Sequence, residues 1–430
     1  MKNLSVNIIG YINKQFGLGE GTRANIRSLN AIDLPLEIND FNFNIVDTIK
    51  DQNHDEIRKL SLSNNSPINI VQLNIDKLTT FIEHGGSEYL KGKYNIGFWV
   101  WELNNFPKEG QKFYNLFDEI WTPSSFSAAS IAKSSPIPVI TIPHSININR
   151  TPHKRSHFVL EDECFYFLSI FDYSSSIERK NPLGTISAYE KAFGINNPKI
   201  KLIIKSSIRP GYKEEKSLIE ERLKINSSII YIERSLERDE IYSLINVCDC
   251  FISLHKSEGF GLTMAEAMFL NKPVIATAYS GNTDFMNVNN SFMVKYSLTS
   301  AKNYNNMSTD QDLWAEPNIE HAAECMKDIY NNPTHASQIA RQGMLDIKNQ
   351  LNPKKTGITI KNRLELIQEN LNEPRNHKEY LNKISLQQIK IGELEEKLNS
   401  IKKLPSVQLK LKFKDFKNRI SGKDRKYNWE

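Results

Sequence analysis

Ser257-Glu258-Gly259-Phe260-Gly261-Leu262-Thr263-Met264-Ala265-Glu266 sets two carboxylates eight positions apart, joined by a glycine turn that leads into helical spacing. Ala267-Met268-Phe269-Leu270-Asn271-Lys272-Pro273-Val274-Ile275-Ala276-Thr277 follows and reads as a helix end and then a buried strand. A tight turn with free backbone N–H groups at a helix N-terminus is a natural seat for phosphate. The flanking carboxylates are suited to accept hydrogen bonds from sugar hydroxyls. The competing explanation is that Thr263-x-x-Glu266 is only a capping box that satisfies the first N–H groups of the helix. The Glu-Gly-Phe-Gly directly upstream and the strand directly downstream favour ligand binding.

Working outward, short apolar runs alternate with helical patterns on both sides of this stretch. Toward the N-terminus, Leu4–Tyr11, Ile68–Leu73, Tyr94–Trp101, Glu119–Thr122 and Pro138–Pro143 read as strands, with a helix over Glu20–Ala31. A second series begins near Glu163 with Phe165–Asp172, Ile200–Lys205, Ile229–Glu233, Cys250–Leu254, Pro273–Thr277 and Phe292–Val294. Helical patterns over Gly184–Phe193, Lys213–Lys224 and Asp239–Val247 separate these strands. Buried strands alternating with helices predict parallel sheets, and two series predict two doubly wound, Rossmann-like α/β domains facing across a cleft. The expected division is 1–150 and 151–345 with a closing helix region over 346–373, and helical runs around Glu320–Asn331 and Thr356–Asn370 are expected to close the core. The polar, Asn-rich stretch from Asn39 to Ser66 carries no clear pattern.

Beyond Pro374 the character changes. Ile384, Ile391 and Leu398 alternate with Tyr380, Gln387, Leu394 and Ile401 at heptad spacing, which predicts a coiled coil over 374–403 and a route to homo-oligomers through 378–403. Residues 404–430 hold Lys410, Lys412, Lys414, Lys417, Arg419, Lys423, Arg425 and Lys426 against Asp415, Asp424 and Glu430, which accounts for the whole formal charge of +5. Leu409, Phe413, Phe416 and Ile420 recur at helical spacing among the lysines, so this tail is either a basic amphipathic helix for an anionic membrane surface or a solvated, disordered segment. The rest of the chain is neutral overall, which argues against nucleic acid as a partner. Hydrophobic content of 39% and charged content of 24% over 430 residues are ordinary for a globular protein. No apolar run reaches the ~18–20 residues of a membrane span. The polar start and the four cysteines without zinc or redox spacing (Cys164, Cys248, Cys250, Cys325) point to a cytoplasmic protein with reduced thiols.

In open parallel sheets ligands gather beyond the carboxyl ends of the strands. Asp172 and Lys205 are expected at such ends, and Arg179-Lys180-Asn181-Pro182 leads into the next helix. A phosphate or diphosphate bound there would need fixed cations or N–H groups, and Arg179, Lys180 and Lys205 are the candidates. A lysine that closes an apolar strand must find water or an anion. Phe16-Gly17-Leu18-Gly19-Glu20-Gly21 follows the first strand, where Gly17 and Gly19 allow backbone to approach a donor phosphate or an acceptor. Trp101-Glu102 closes another strand, an acid beside an indole that suits a sugar ring, unless Trp99 and Trp101 are simply core. His144 closes the last N-terminal strand, either lining the cleft or serving structure. No His, Asp or Cys cluster has metal-ligand spacing.

Over about residues 1–370 the chain resembles the retaining glycosyltransferases of family 4 (glycosyl transferases group 1), which share the GT-B architecture and an E-x7-E signature. The resemblance implies that Glu258 contacts the transferred sugar and Glu266 holds the nucleotide ribose. It also implies that Gly259, Phe260, Gly261, Leu262 and Thr263 face the sugar and diphosphate, and that Lys180 binds phosphate. Many members carry an arginine where this chain has Asp172, and a histidine where it has Glu102, which leaves open how Arg179, Lys205 and Glu102 share the work. Trp-Glu segments of this kind resemble those of bacterial polysaccharide enzymes. The expectation is a metal-independent hexosyltransferase, needing no cofactor, that takes a GDP- or UDP-hexose as donor and a glycan or lipid-linked glycan as acceptor in O-antigen, capsule or lipopolysaccharide synthesis. Alternatives are a nucleotide-sugar epimerase of the same fold and a catalytically idle assembly subunit of a glycosylation complex.

Overall fold

The five runs read as strands in the first part of the chain, joined by a sixth that was not, form one parallel sheet. Its strands are β1 (Val6–Gly10), β2 (Leu36–Asp40), β3 (Ile68–Gln72), β4 (Tyr94–Phe98), β5 (Glu119–Thr122) and β6 (Val139–Thr141), in the order β2-β1-β3-β4-β5-β6. Registers such as Ile8 beside Ile38 and Ile70 bring β-branched side chains into contact across neighbours. β1, β3 and β5 are buried along their whole length, as expected for strands covered on both faces. The second sheet contains β7 (Phe165–Ile170), β8 (Ile200–Ser206), β9 (Ile229–Glu233), β10 (Cys250–Ser253), β11 (Val274–Thr277) and β12 (Phe292–Val294), ordered β12-β11-β10-β7-β8-β9. All its pairings are parallel.

The computed structural model describes residues 4–14, 16–42, 60–61, 63–207, 211–302, 304 and 307–372. The heptads placed over 378–403 and the basic tail at 404–430 lie outside them. Both sheets belong to one compact unit that ends at Arg363. Strand ends agree with the sequence reading to within a residue or two for most elements, and β5, β9 and β12 match it. β2 was not read as a strand: it begins before the unassigned stretch Asn39–Ser66 and runs into it, and it is an edge strand with only two buried positions.

A further pair was also not foreseen: β13 (Tyr296–Ser300) and β14 (Leu313–Pro317) form an antiparallel hairpin between the second sheet and the helix Ile319–Asn331. It reaches across to the first lobe, where Asn104 Oδ1 accepts a 2.7 Å bond from Leu313 N. Trp314 joins the aromatic core of Trp99, Trp101, Phe106 and Tyr114. Trp99 lies parallel to Phe106 at 5.4 Å, and Trp99 and Trp101 are 1% and 5% exposed. The indoles are therefore core, and the sugar-stacking surface expected beside Glu102 is not present.

The long helix Pro353–Asn372 returns to the first lobe. A Cβ at Gly357 would stand 2.2 Å from Ser28 O, so glycine lets this helix touch the helix Gly17–Asn30 backbone to backbone. Arg363 Nε adds bonds of 3.2 and 3.1 Å to the fully buried Glu119 carboxylate. Among the described residues no helix is long and apolar enough to cross a membrane. Cys164, Cys248 and Cys250 are buried free thiols, and Cys325 is half-buried.

Candidate functional site

The glycine turn sits between the two lobes. Gly261 is the N-cap of the helix Leu262–Phe269 and holds φ at 99°, a backbone state that glycine adopts without steric cost. Thr263 therefore lies inside the helix, and the Glu266 carboxylate points at Arg238 rather than back to the cap, so the capping-box explanation fails. A capping box does exist in this lobe, formed by Glu237 and Glu240.

Glu258 is fixed through its backbone: its N donates to Ser280 Oγ at 2.7 Å, and its carbonyl accepts from Gly281 N at 2.9 Å. Gly281 is obligatory here, since a Cβ would stand 2.5 Å from Gly259 O. Gly281→Ala is expected to cost about 1–3 kcal/mol by overpacking and to displace Glu258. Thermal melting and nucleotide binding should both fall, and unchanged values for both would show that the loop has slack.

The turn touches the opposite lobe directly. Ser124 Oγ, at the N-cap of the helix Ser125–Ala132, donates to Gly259 O at 2.6 Å, and Ser257 Oγ donates to Glu102 O. Asp284 accepts from Ser125 N at 2.7 Å. Gly259 packs on Val100, whose Cγ1 would be 2.2 Å from an added Cβ. Phe260 lies between Phe285 (5.2 Å) and the His144 ring (5.2 Å). His144 also stacks on Phe98 and borders Gly21; burial keeps its imidazole neutral, down at about 3, and its Nδ1 has no partner among the described residues. His144 thus lines the seam between the lobes.

Four of the predicted charged residues converge. Lys180 Nζ bonds Glu258 Oε1, Arg179 Nη1 is 3.4 Å from Glu258 Oε2, and Arg179 Nη2 is 3.8 Å from Glu102 Oε1 on the other lobe. Arg179 is 3% exposed, not a solvated helix start, and spends a further donor on Ser257 O at 2.7 Å. Burial alone would raise the Glu258 carboxyl, but Lys180 and then Arg179 outweigh it and hold it down at about 2. At Glu102 burial prevails over Arg179, and its carboxyl is raised. Tyr304, beyond the hairpin strand β13, places its ring 5.8 Å from the Arg179 guanidinium carbon.

A second ionic group surrounds Glu266. Arg238 Nη2 bonds Glu266 Oε1, and Arg238 Nε is 3.7 Å from Glu20 Oε2 on the first lobe. Arg23 and Arg27 approach the Glu20 carboxylate at 3.0 and 2.5 Å. Three guanidiniums against two carboxylates leave a positive excess beside the glycine turn, which suits an anionic ligand.

The structure separates two other expectations from this cluster. Lys205 is buried and donates to Ser206 O at 2.8 Å, with Asp172, Arg234 and Glu240 as its charged surroundings; burial lowers its pKa to about 8. The ammonium is thus engaged by a backbone carbonyl of its own strand. Asp172 lies beyond the end of β7 and caps the short turn Tyr173–Ser175 through Ser174 N at 2.8 Å. Gly17 faces open space, whereas a Cβ at Gly19 would stand 2.3 Å from Lys14 O, so Gly19 serves the loop's own tight fold. Leu262 and Thr263 are half-buried on the first turn of the helix. Arg238, Glu20 and Tyr304 escaped sequence reasoning; an arginine opening a helix carries no local signal of an acid 28 residues away. Among the described residues no group of three or more His, Cys, Asp or Glu side chains forms a metal-ligand set.

Residues 169–344 match the family described as Glycosyl transferases group 1. No curated protein matches the sequence significantly. Solved structures share the fold over nearly their whole length. A glycosyltransferase from Rickettsia africae superimposes with a TM-score of 0.61 at 14% identity, covering 86% of this chain and 100% of that one. Sucrose-phosphate synthase from Thermosynechococcus elongatus gives 0.60 at 12%, covering 84% and 98%. HepE of Anabaena, solved with UDP and glucose, gives 0.59 at 13%, covering 84% and 99%. The chain has the two-domain GT-B fold, and the family match within the second lobe supports a glycosyltransferase.

Proposed function

We propose that the protein is a retaining glycosyltransferase of family 4 that moves a hexose from a nucleoside diphosphate sugar to a glycan or lipid-linked glycan acceptor. One observation carries this reading: Arg179 and Lys180 of the second lobe meet Glu258 and the first lobe's Glu102 in a single buried seam. Donor diphosphate is assigned to Arg179, Lys180 and the N–H groups that follow Gly259, ribose to Glu266, and the sugar to Glu258. The acceptor is assigned to the first lobe, beside Glu102. The division at about residue 150 and the closing helices from 346 belong to the same proposal.

In the reaction the acceptor oxygen bonds the sugar's anomeric carbon while the carbon–oxygen bond to the β-phosphate breaks. The leaving phosphate oxygen keeps that electron pair and takes the acceptor's proton on the same face, which retains configuration. Arg179 and Lys180 stabilise the charge that grows on the diphosphate, so no metal is needed. Gly259 packs directly on Val100. The lobes therefore part to admit a hexose and close again to exclude water. Lys205, held by the Ser206 carbonyl, stands outside this assignment.

UDP and UDP-glucose are bound in structures of HepE, which makes UDP-hexoses the first donors to try. A bacterial surface polysaccharide is the proposed product, made at the cytoplasmic face of the membrane. A thermal-shift series with UDP, GDP and their sugars tests the donor, because stabilisation grows with ligand concentration over its dissociation constant. Transfer that survives EDTA and gives an α-linked product from an α-donor is the expected result. A β-linked product would overturn the stereochemistry, and donor turnover by epimerisation without any acceptor would favour the epimerase instead.

A further inference from the structure

Glu266 presents an incomplete set of bonds. Glu266 is 1% exposed, Oε1 accepts from Arg238 Nη2, and the buried Oε2 has no hydrogen-bond partner among the described residues. A buried carboxylate oxygen without a donor is costly, so a ligand hydroxyl that reaches it gains unusually. Arg238 is itself half-committed. Its Nε has no hydrogen bond among the described residues, its guanidinium lies 4.7 Å from the centre of the Tyr242 ring, and Glu20 anchors it from the other lobe at 3.7 Å. Glu20 cannot be drawn away from that place, because Arg23 and Arg27 hold its carboxylate, and Arg23 also donates to Ile12 O and Lys14 O.

We infer that Arg238 is a positioning residue that grips Glu266 by one oxygen, while anchored to Glu20, so that the other oxygen is presented to the 2′,3′-diol of a ribonucleoside diphosphate. This rests on the ribose assignment of Glu266 and goes beyond it by naming the group that orients and charges the acid. The groups facing Glu266 are Arg238 and Tyr242 from one helix and Glu20, Arg23 and Arg27 from the helix Gly17–Asn30. Burial holds the Glu266 carboxyl up at about 7, and Arg238 is the first cation that opposes it. Binding by the ionised acid should therefore be full at alkaline pH and weaken as pH falls through about 7. Removing Arg238 should move that midpoint upward, since the proton is then held more tightly.

The test is calorimetric titration of the full chain with UDP and GDP, each beside its 2′-deoxy counterpart, between about pH 6 and 9. The preferred nucleotide should bind wild type about tenfold more tightly than its deoxy form. In Arg238→Met that preference should largely vanish, with the pH midpoint displaced to higher values. If Arg238→Met keeps both the preference and the midpoint, Glu266 does not depend on Arg238 and this inference fails, while the ribose assignment stands. If wild type binds ribo and deoxy forms alike, or neither nucleotide, the ribose assignment itself fails and takes the inference with it. Arg238→Gln, which retains a neutral donor of similar length, carries the same comparison if the methionine variant does not fold.

Discussion

Lys180→Met is expected to lower the rate of sugar transfer by about 10²–10³-fold, the loss typical of removing one fixed charge or donor at a transition state. The thermal midpoint should change little by comparison. The Lys180 side chain is one-fifth exposed, so its removal leaves a gap that water can enter, and Arg179 still neutralises Glu258. What the methionine cannot do is meet the charge that builds on the leaving diphosphate. Burial lowers the Lys180 pKa, and the Glu258 carboxylate opposes that shift. Rates at saturating donor, with nucleotide affinity measured alongside, separate the transition-state effect from ground-state binding. A variant that transfers sugar within a few-fold of wild type would remove Lys180 from the mechanism.

Arg179→Met should produce the largest loss of stability, about 3–5 kcal/mol, because breaking a buried ion pair from one side leaves uncompensated charge. The guanidinium lies against Glu258 at 3.4 Å and Glu102 at 3.8 Å, and it holds the Ser257 carbonyl. Urea unfolding of the purified variant reads the loss as a lower midpoint. Adding Glu102→Gln to Arg179→Met should restore part of it, since one of the two orphaned acids is then neutral. The deficit should also shrink on acidification. Glu102 already has a raised pKa, so its protonated form is reached early as pH falls, and a neutral Glu102 no longer needs the cation. A cooperative midpoint equal to wild type would mean that water reaches these carboxylates and that the seam is not dry.

Several elements were legible because their signal is local. Ile229-Ile-Tyr-Ile-Glu233 and Phe292-Met-Val294 are short apolar runs bounded by polar punctuation, and they are strands. The turn through Gly261 into a helix that carries Glu266 was legible because glycine and helical spacing signal it over a few residues. β2 and the β13–β14 hairpin were not legible. Leu36–Asp40 mixes acids and an asparagine into an edge strand, and β13 reads Tyr-Ser-Leu-Thr-Ser with no position buried. Their strand state comes from pairing with distant partners, which composition does not report.

By itself the chain's residue order determined the alternation of strands and helices, the two parallel sheets and the acid–turn–acid segment, because burial period and turn chemistry act over a few residues. Tertiary structure decided which charges meet. Glu102 and Arg179 approach from opposite lobes, Arg238 reaches Glu266 and Glu20 together, and Lys205 turns aside to a carbonyl of its own strand. The tryptophans beside Glu102 went into the core because the hairpin around Trp314 packs on them. The physical reason is reach: a side-chain charge or ring finds its partner within a few ångströms of space, and only the completed packing of both lobes sets which residues come that close.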